Sequence, residues 1–433
     1  MSKKQLGTVT ATFDAIVGGG QAIATLEDGR KLFAWGVLPG ETAEIRITKK
    51  KSKYLEGIAE EIIEKNAHMR TAPVDPESYL STSPWQIMTL EAEQHFKAAL
   101  IEEAFELHNI VLPEPIEVYT DGVEYEYRNK IEFSFWYDTE VTENALSLAF
   151  FRRGTHGKIS IEGTSLAWPG ISAVATRVLA VLNTLAITGR SLKTLLVRSA
   201  QSGATAWQLY VKDEDFDATA LFALLPDNEN GEIIFSNPKS PASVITKRLY
   251  SKASQLTDTI LGTEFRYATE SFFQINLPVY ERALKDMQAW VPEGKQTVDM
   301  YSGVGTIGLT IGGEDTTLVE INEYAVAEMR RNIEALGLRA EAVLAASENA
   351  LDYITGDKTI IVDPPRAGLH EAVIQRLLEE KPERIIYLSC NPVTQAREVM
   401  MLAEAYGIRA HQGYNFFPRT PHIEHLVVLD LKR

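Results

Sequence analysis

The sequence predicts a multidomain protein: a small OB-like β-barrel, a central α+β domain, and a carboxy-terminal Rossmann-like, doubly wound α/β domain. Short β-rich segments punctuated by glycine turns fill the first 66 residues. From about residue 290 strands alternate with helices, the pattern of a parallel sheet covered on both faces. A length of 433 residues accommodates about three domains.

The barrel is expected over residues 1–66, with strands at 6–11, 22–26, 31–34 and 44–48. Gly18-Gly19-Gly20, Asp28-Gly29 and Pro39-Gly40 are the turns between them. A basic run, Arg46, Lys49, Lys50, Lys51 and Lys53, closes the last of these strands. Such a run is ordinarily a solvated loop, but on an OB-type barrel it points to nucleic acid. The central domain, 67–265, mixes a helix over 90–108, expected to pack on the carboxy-terminal domain, with strands at 124–135 and 149–153 and further α+β segments at 174–185, 192–198 and 207–211.

The last domain, 266–433, carries strands at 296–300, 317–321, 341–344, 359–362 and 384–388. A helix over 323–336 has Asn322 as N-cap and Gly337 as stop, and a helix over 393–406 is ended by Gly407. Two final strands without a helix between them predict an antiparallel edge.

Composition is that of a folded protein, with 45% hydrophobic and 24% charged residues, which excludes a disordered or low-complexity chain. The net charge of −16 argues against nucleic acid when taken whole. Along the chain it does not, because the first 66 residues hold ten basic and nine acidic side chains and the acidity lies beyond them. One cysteine, Cys390, excludes an intrachain disulfide, a zinc ribbon and a cysteine-ligated cluster. No metal site is expected. The first residues lack the apolar run of a secretory signal, and no stretch has the roughly 18 apolar residues of a membrane span. A cytoplasmic, membrane-free monomer is expected.

Four segments carry chemistry. Asp299-Met-Tyr301-Ser302-Gly303-Val-Gly305-Thr306-Ile-Gly308 places G-x-G-x-x-G after a strand, with Glu320 at the end of the next strand to receive ribose hydroxyls. NAD and S-adenosylmethionine both fit. Asp299 would repel a pyrophosphate but welcome a cationic sulfonium ligand's amino group, and the helix ending at Gly312-Gly313 is short support for a pyrophosphate. Asp363-Pro364-Pro365-Arg366 puts a carboxylate on a stiff turn at a strand's carboxyl end. Ser389-Cys390-Asn391-Pro392 sets the lone thiol just before a helix, whose dipole favours the thiolate. Glu424, between His422 and His425, is a candidate general base.

Together these motifs, with Ser271-Phe272-Phe273-Gln274-Ile275-Asn276, resemble the TRAM-containing RNA uracil-C5 methyltransferases over almost the full chain. The resemblance implies a TRAM barrel, Cys390 as nucleophile, Glu424 as the base taking the C5 proton, and Asp363 as a carboxylate at uracil and cofactor. It implies S-adenosylmethionine lined by Gln274, Tyr301, Thr306, Glu320 and Asp363, and RNA faced by Tyr127-Arg128-Asn129-Lys130 and Phe151-Arg152-Arg153. Many members carry an iron–sulfur cluster; the matching stretch, Ser81 to Gln86, has no cysteine, so no cluster is expected. The implied product is 5-methyluridine in structured RNA, with 23S rRNA favoured by the barrel and tRNA as the alternative. A non-catalytic RNA-binding protein would leave Cys390 and Glu424 without a role, and an NAD-dependent oxidoreductase would leave Cys390 and Asp363 so.

Overall fold

The computed structural model describes residues 6–137, 145–155, 157–252 and 255–433; residues 1–5, read above for a secretory signal, lie outside them.

Six strands, Thr8–Thr12, Ala15–Val17, Gln21–Thr25, Lys31–Trp35, Thr42–Lys50 and Tyr54–Glu64, form the amino-terminal sheet in the order first, fifth, sixth, fourth, third, second. Burial alternates along them, so one face closes on a core of Phe13, Leu32, Ala43, Ile45 and Leu55. At the tip of the last hairpin Lys50, Lys51 and Lys53 are exposed, while Arg46 and Lys49 pair with Glu60 and Glu56.

The central domain is a seven-stranded sheet in the order Lys158–Ile161, Ser147–Phe151, Lys130–Trp136, Leu192–Ser199, Thr205–Val211, Gly231–Phe235, Lys247–Lys252. The helix Pro169–Thr184 covers one face. The strand expected from 124 begins only at Lys130, because Glu126 adopts a left-handed backbone (φ 50°) that no strand continues through.

The carboxy-terminal sheet has eight strands in the order Glu341–Leu344, Thr316–Glu320, Thr297–Met300, Thr359–Val362, Arg384–Ser389, Glu424–Leu431, Tyr406–Tyr414, Val118–Tyr119. The first five are parallel; Glu424–Leu431 runs antiparallel between its two neighbours. Its core strands are buried on both faces, Ile360, Val362, Ile385 and Tyr387 on one side and Ile361, Ile386 and Leu388 on the other. The helix ending near residue 406 is shorter than expected: Pro392–Leu402 is capped at Ala403, and Gly407 lies inside a strand. Tyr406 starts that strand because its buried hydroxyl donates to the Leu377 and Pro382 carbonyls.

The sheets also cut the chain elsewhere than at 265/266. The hairpin Gln255–Ile260 and Thr263–Ala268 shares a core with Phe273, Leu284 and Met329 of the last domain. The helix Leu90–Glu106 buries Phe96, Ile101 and Phe105 in the same core as Val399 and Leu402, and Val118–Tyr119 supplies the sheet's edge. The central sheet is therefore inserted between pieces of the carboxy-terminal domain.

Candidate active site

Parallel strands bring their carboxyl ends to one rim, and the order of this sheet reverses between Thr297–Met300 and Thr359–Val362. The glycine loop leaves the first of these and Asp363 the second. The antiparallel strand enters the same rim from the other direction: Ser389 pairs with His425, so Cys390 and Glu424 are each one residue beyond the end of that ladder. Asp363, Cys390 and Glu424, far apart in sequence, thus converge.

Their charges are coupled. Glu424 is buried, and burial with the like charge of Asp363 holds its carboxyl well above the usual range, opposed by the Arg366 guanidinium. Burial lifts Asp363 to about 7. The half-buried Cys390 thiol is pushed up to about 11 by burial, then by Glu424 and Asp363, with Arg366 pulling the other way. Desolvation and two carboxylates thus act on the thiol in the direction opposite to the helix dipole.

Two further side chains hold this arrangement: Asn391, which the sequence motif contains without giving it a role, and Gln395, which was not singled out from sequence. Asn391 caps the helix Pro392–Leu402, its Oδ1 accepting from the Val393 N–H (3.3 Å), while its Nδ2 donates to the Arg366 carbonyl (2.9 Å). The fully buried Gln395 donates from Nε2 to the carbonyls of Tyr387 (3.1 Å) and His425 (2.9 Å), tying together the strands that carry Cys390 and Glu424. That orientation leaves Gln395 Oε1 to accept from His425 Nδ1 (2.7 Å). An N-cap Asn is legible in sequence; a buried mid-helix Gln is not. His422 accepts from Arg366 at Nδ1 (3.2 Å), and burial followed by Arg366, Lys97, Arg128 and Arg153 holds its pKa down to about 4. Among the described residues no three potential ligands gather as a metal site.

The glycine loop is drawn tightly over its strand. Asp299 lies buried beneath it, not at the rim: Oδ2 accepts from the Gly308 N–H (2.9 Å), Oδ1 has no partner, and burial raises the carboxyl to about 8. A Cβ on Gly308 would press on Leu318 and Asp299, so only glycine lets the helix Thr306–Ile311 sit this close. Above Gly303 (φ 57°), a Cβ would meet open space. Glu320 accepts from the Gly303 N–H (2.9 Å) and the Asn322 N–H (2.8 Å). Tyr301 has φ 66°, and its hydroxyl accepts from Ser347 Oγ (2.9 Å) and the His370 N–H (3.3 Å). Thr306 shares a hydrogen bond with the Tyr280 hydroxyl (2.8 Å). Gln274 is buried, and its backbone carbonyl accepts from Asn129 Nδ2 (2.9 Å).

The two RNA-resembling segments divide between structure and surface. Tyr127 and Asn129 are buried, Tyr127 donating to the Pro418 carbonyl (3.0 Å). Arg153 stacks on Trp35 (4.3 Å) and donates to the Leu80 carbonyl, bracing the first domain against the second. Arg152 and Phe151 are exposed, and Lys158 lies over the Phe151 ring (5.1 Å).

The family model described as tRNA (Uracil-5-)-methyltransferase matches residues 96–432, and the TRAM domain model matches residues 7–59. The chain belongs to the tRNA (Uracil-5-)-methyltransferase family. As a member it is an RNA methyltransferase, with a TRAM domain ahead of a Rossmann-like catalytic domain. An uncharacterised RNA methyltransferase of Enterococcus faecalis is 27% identical over 93% of each chain. One of Listeria monocytogenes is 27% identical over 93% of this chain and 92% of its own. The crystal structure of Pyrococcus abyssi tRNA (uracil-54, C5)-methyltransferase in complex with S-adenosyl-L-homocysteine has the same fold, with a TM-score of 0.77 and 22% identity over 97% of this chain and 100% of that one. No helix among the described residues is long and apolar enough to cross a membrane.

Proposed function

We propose that this uracil-5 methyltransferase family member methylates C5 of a uridine in structured RNA through a covalent link between Cys390 and uracil C6. The observation that carries the reading is the convergence of Cys390, Asp363 and Glu424 beside the glycine loop. S-adenosylmethionine fits that loop. The open space over Gly303 admits a ligand, the unpartnered Asp299 Oδ1 is a buried polar atom left over beneath the loop, and Glu320 stands where ribose hydroxyls would bind. Gln274, Tyr301, Thr306, Glu320 and Asp363 would hold it, Tyr301 and Thr306 being fixed by Ser347 and Tyr280. When bound, this cofactor supplies an electrophilic methyl group.

Uracil C5 is too weak a nucleophile to take a methyl group unaided. Attack of sulfur on C6 makes an enolate and so activates C5. Burial keeps the Cys390 thiol protonated at rest; the coupled carboxylates beside it offer a proton acceptor, and the Arg366 cation stabilises the thiolate. Once C5 carries the methyl group, Glu424 removes the C5 proton, the C6–S bond breaks, and Cys390 leaves as the thiolate, which regains its proton from the neighbouring carboxyl groups. Its raised pKa makes Glu424 a stronger base than a solvated carboxylate. The target base must leave any stack to reach this rim.

Ribosomal RNA is the first substrate reading, on the strength of the TRAM domain and its exposed Lys50, Lys51 and Lys53. Transfer RNA is the second, supported by the tRNA enzyme with the same fold over its whole length. Incubation with S-adenosylmethionine and RNA containing 5-fluorouridine, which cannot surrender a C5 proton, is expected to trap a protein–RNA adduct absent from Cys390→Ala. No adduct and no methyl transfer on tRNA or either large rRNA would refute the reading, and mapping the methylated nucleotide selects the substrate.

A further inference from the structure

The seven residues leading into Glu424 are held by segments remote from them in the chain. Lys97 donates to the Phe417 carbonyl (3.1 Å), Tyr127 to the Pro418 carbonyl (3.0 Å), and the Trp85 backbone N–H to the Arg419 carbonyl (3.1 Å). The Arg419 N–H in turn donates to buried Glu93 (3.0 Å), and Arg419 itself adopts φ 66°. Pro421 is met by the amino-terminal domain: Gly20, at φ 86° in the turn after Ala15–Val17, lies so close that a Cβ there would collide with the Pro421 ring. Trp85 locks this contact. Its indole N–H donates to the Gly20 carbonyl (2.9 Å), its backbone holds Arg419, and its side chain is 2% exposed. One residue therefore holds both Gly20 and the loop two residues ahead of Pro421.

We propose that Trp85 and Gly20 are positioning residues for the base. Docking of the amino-terminal domain on Pro421 sets the loop that delivers Glu424 to the substrate, so this domain contributes to turnover as well as to RNA affinity. The inference rests on the reading of Glu424 as the group that takes the C5 proton. Displacing a catalytic group by about 1 Å costs on the order of 100-fold in rate, and here the loss should fall on the step Glu424 performs.

The test compares full-length Trp85→Phe, Gly20→Ala and Pro421→Gly with the unmodified chain and with Glu424→Gln. RNA dissociation constants, kcat, melting temperature and S-adenosylmethionine binding are measured, together with the covalent protein–RNA adduct that survives denaturation with natural RNA. The expected result is a kcat lowered by about 10- to 100-fold, RNA affinity within about twofold, and accumulation of methylated adduct as in Glu424→Gln. Pro421→Gly adds no bulk and decides the matter should Gly20→Ala not fold. Wild-type turnover in Trp85→Phe and Pro421→Gly, or a loss explained wholly by weaker RNA binding, overturns the proposal. If Glu424→Gln accumulates no adduct, the reading of Glu424 falls instead, and the split between kcat and RNA affinity still decides whether docking sets the rate.

Discussion

The side-chain amide of Asn391 donates to the backbone carbonyl of Arg366 (2.9 Å), joining the turn that holds Asp363 to the residue that follows Cys390. The same side chain caps the helix behind the thiol. Asn391→Ala should lower stability by about 1 kcal/mol through the lost cap and cut methyl transfer by roughly 10-fold or more through a loosened turn. Asn391→Asp keeps the cap oxygen but loses the donor, so it should retain the melting temperature while losing activity. Thermal melts and single-turnover rates on both variants separate the two roles.

Gln395 satisfies two strand carbonyls and the His425 imidazole with one buried amide. Gln395→Leu fills a similar volume but leaves these groups unpaired, and should destabilise the protein by about 3 kcal/mol. Denaturant titration measures this directly; a change below about 1 kcal/mol would mean that the network relaxes around an apolar side chain.

The proposed thiol deprotonation needs a free carboxylate. With Asp363 held at about 7 by burial, that carboxyl keeps its proton below neutrality and is free to accept one above it, while Glu424 is held above its usual range by burial and by Asp363. Single-turnover adduct formation should therefore rise with pH up to about 7 and flatten beyond it. Asp363→Asn should remove that inflection along with most of the rate.

Asp299 is raised to about 8 in the folded chain, so the native state holds a proton that the unfolded chain has already released above its ordinary range near 3.8. Its contribution to stability is therefore present at low pH and is lost as pH rises toward 8. Asp299→Asn can still accept from the Gly308 N–H, and should flatten this dependence and stabilise the chain by about 2 kcal/mol at alkaline pH. Melting curves between acid and alkaline buffers check the sign.

Both oxygens of Glu320 receive backbone N–H groups, from Gly303 and Asn322. Glu320→Gln turns one of them into a donor facing a donor. It should weaken S-adenosylmethionine binding by about 10-fold, the equivalent of one lost charge-assisted hydrogen bond, with RNA affinity unchanged. Calorimetric titration of each ligand is the measurement.

Much of the site was legible because its chemistry is written locally. A glycine loop, a double-proline turn and a Cys-Asn-Pro cap each announce a strand end, and a doubly wound sheet puts strand ends on one rim. What escaped lies in contacts without local pattern. Lys97 meets Asn415 across 318 residues, and the Trp85 indole meets Gly20 across 65. Gly407 misled as a helix stop because a buried tyrosine hydroxyl one residue earlier outweighs the glycine's local preference. The surroundings of Cys390 were legible only in part for a related reason: a helix dipole can be read from order along the chain, whereas burial and two carboxylates arriving from other strands cannot.

The edge strand Val118–Tyr119 pairs with Tyr406–Tyr414, and the helix Leu90–Glu106 packs on Pro392–Leu402. On the ribosome these early pieces emerge long before the strands that complete them, so the last sheet cannot close until synthesis is nearly finished. Closure is therefore late and slow, and depends on contacts of long sequence separation. A nascent chain in this state shows apolar helix faces and an open sheet edge for most of its synthesis, and is the form on which a chaperone would act.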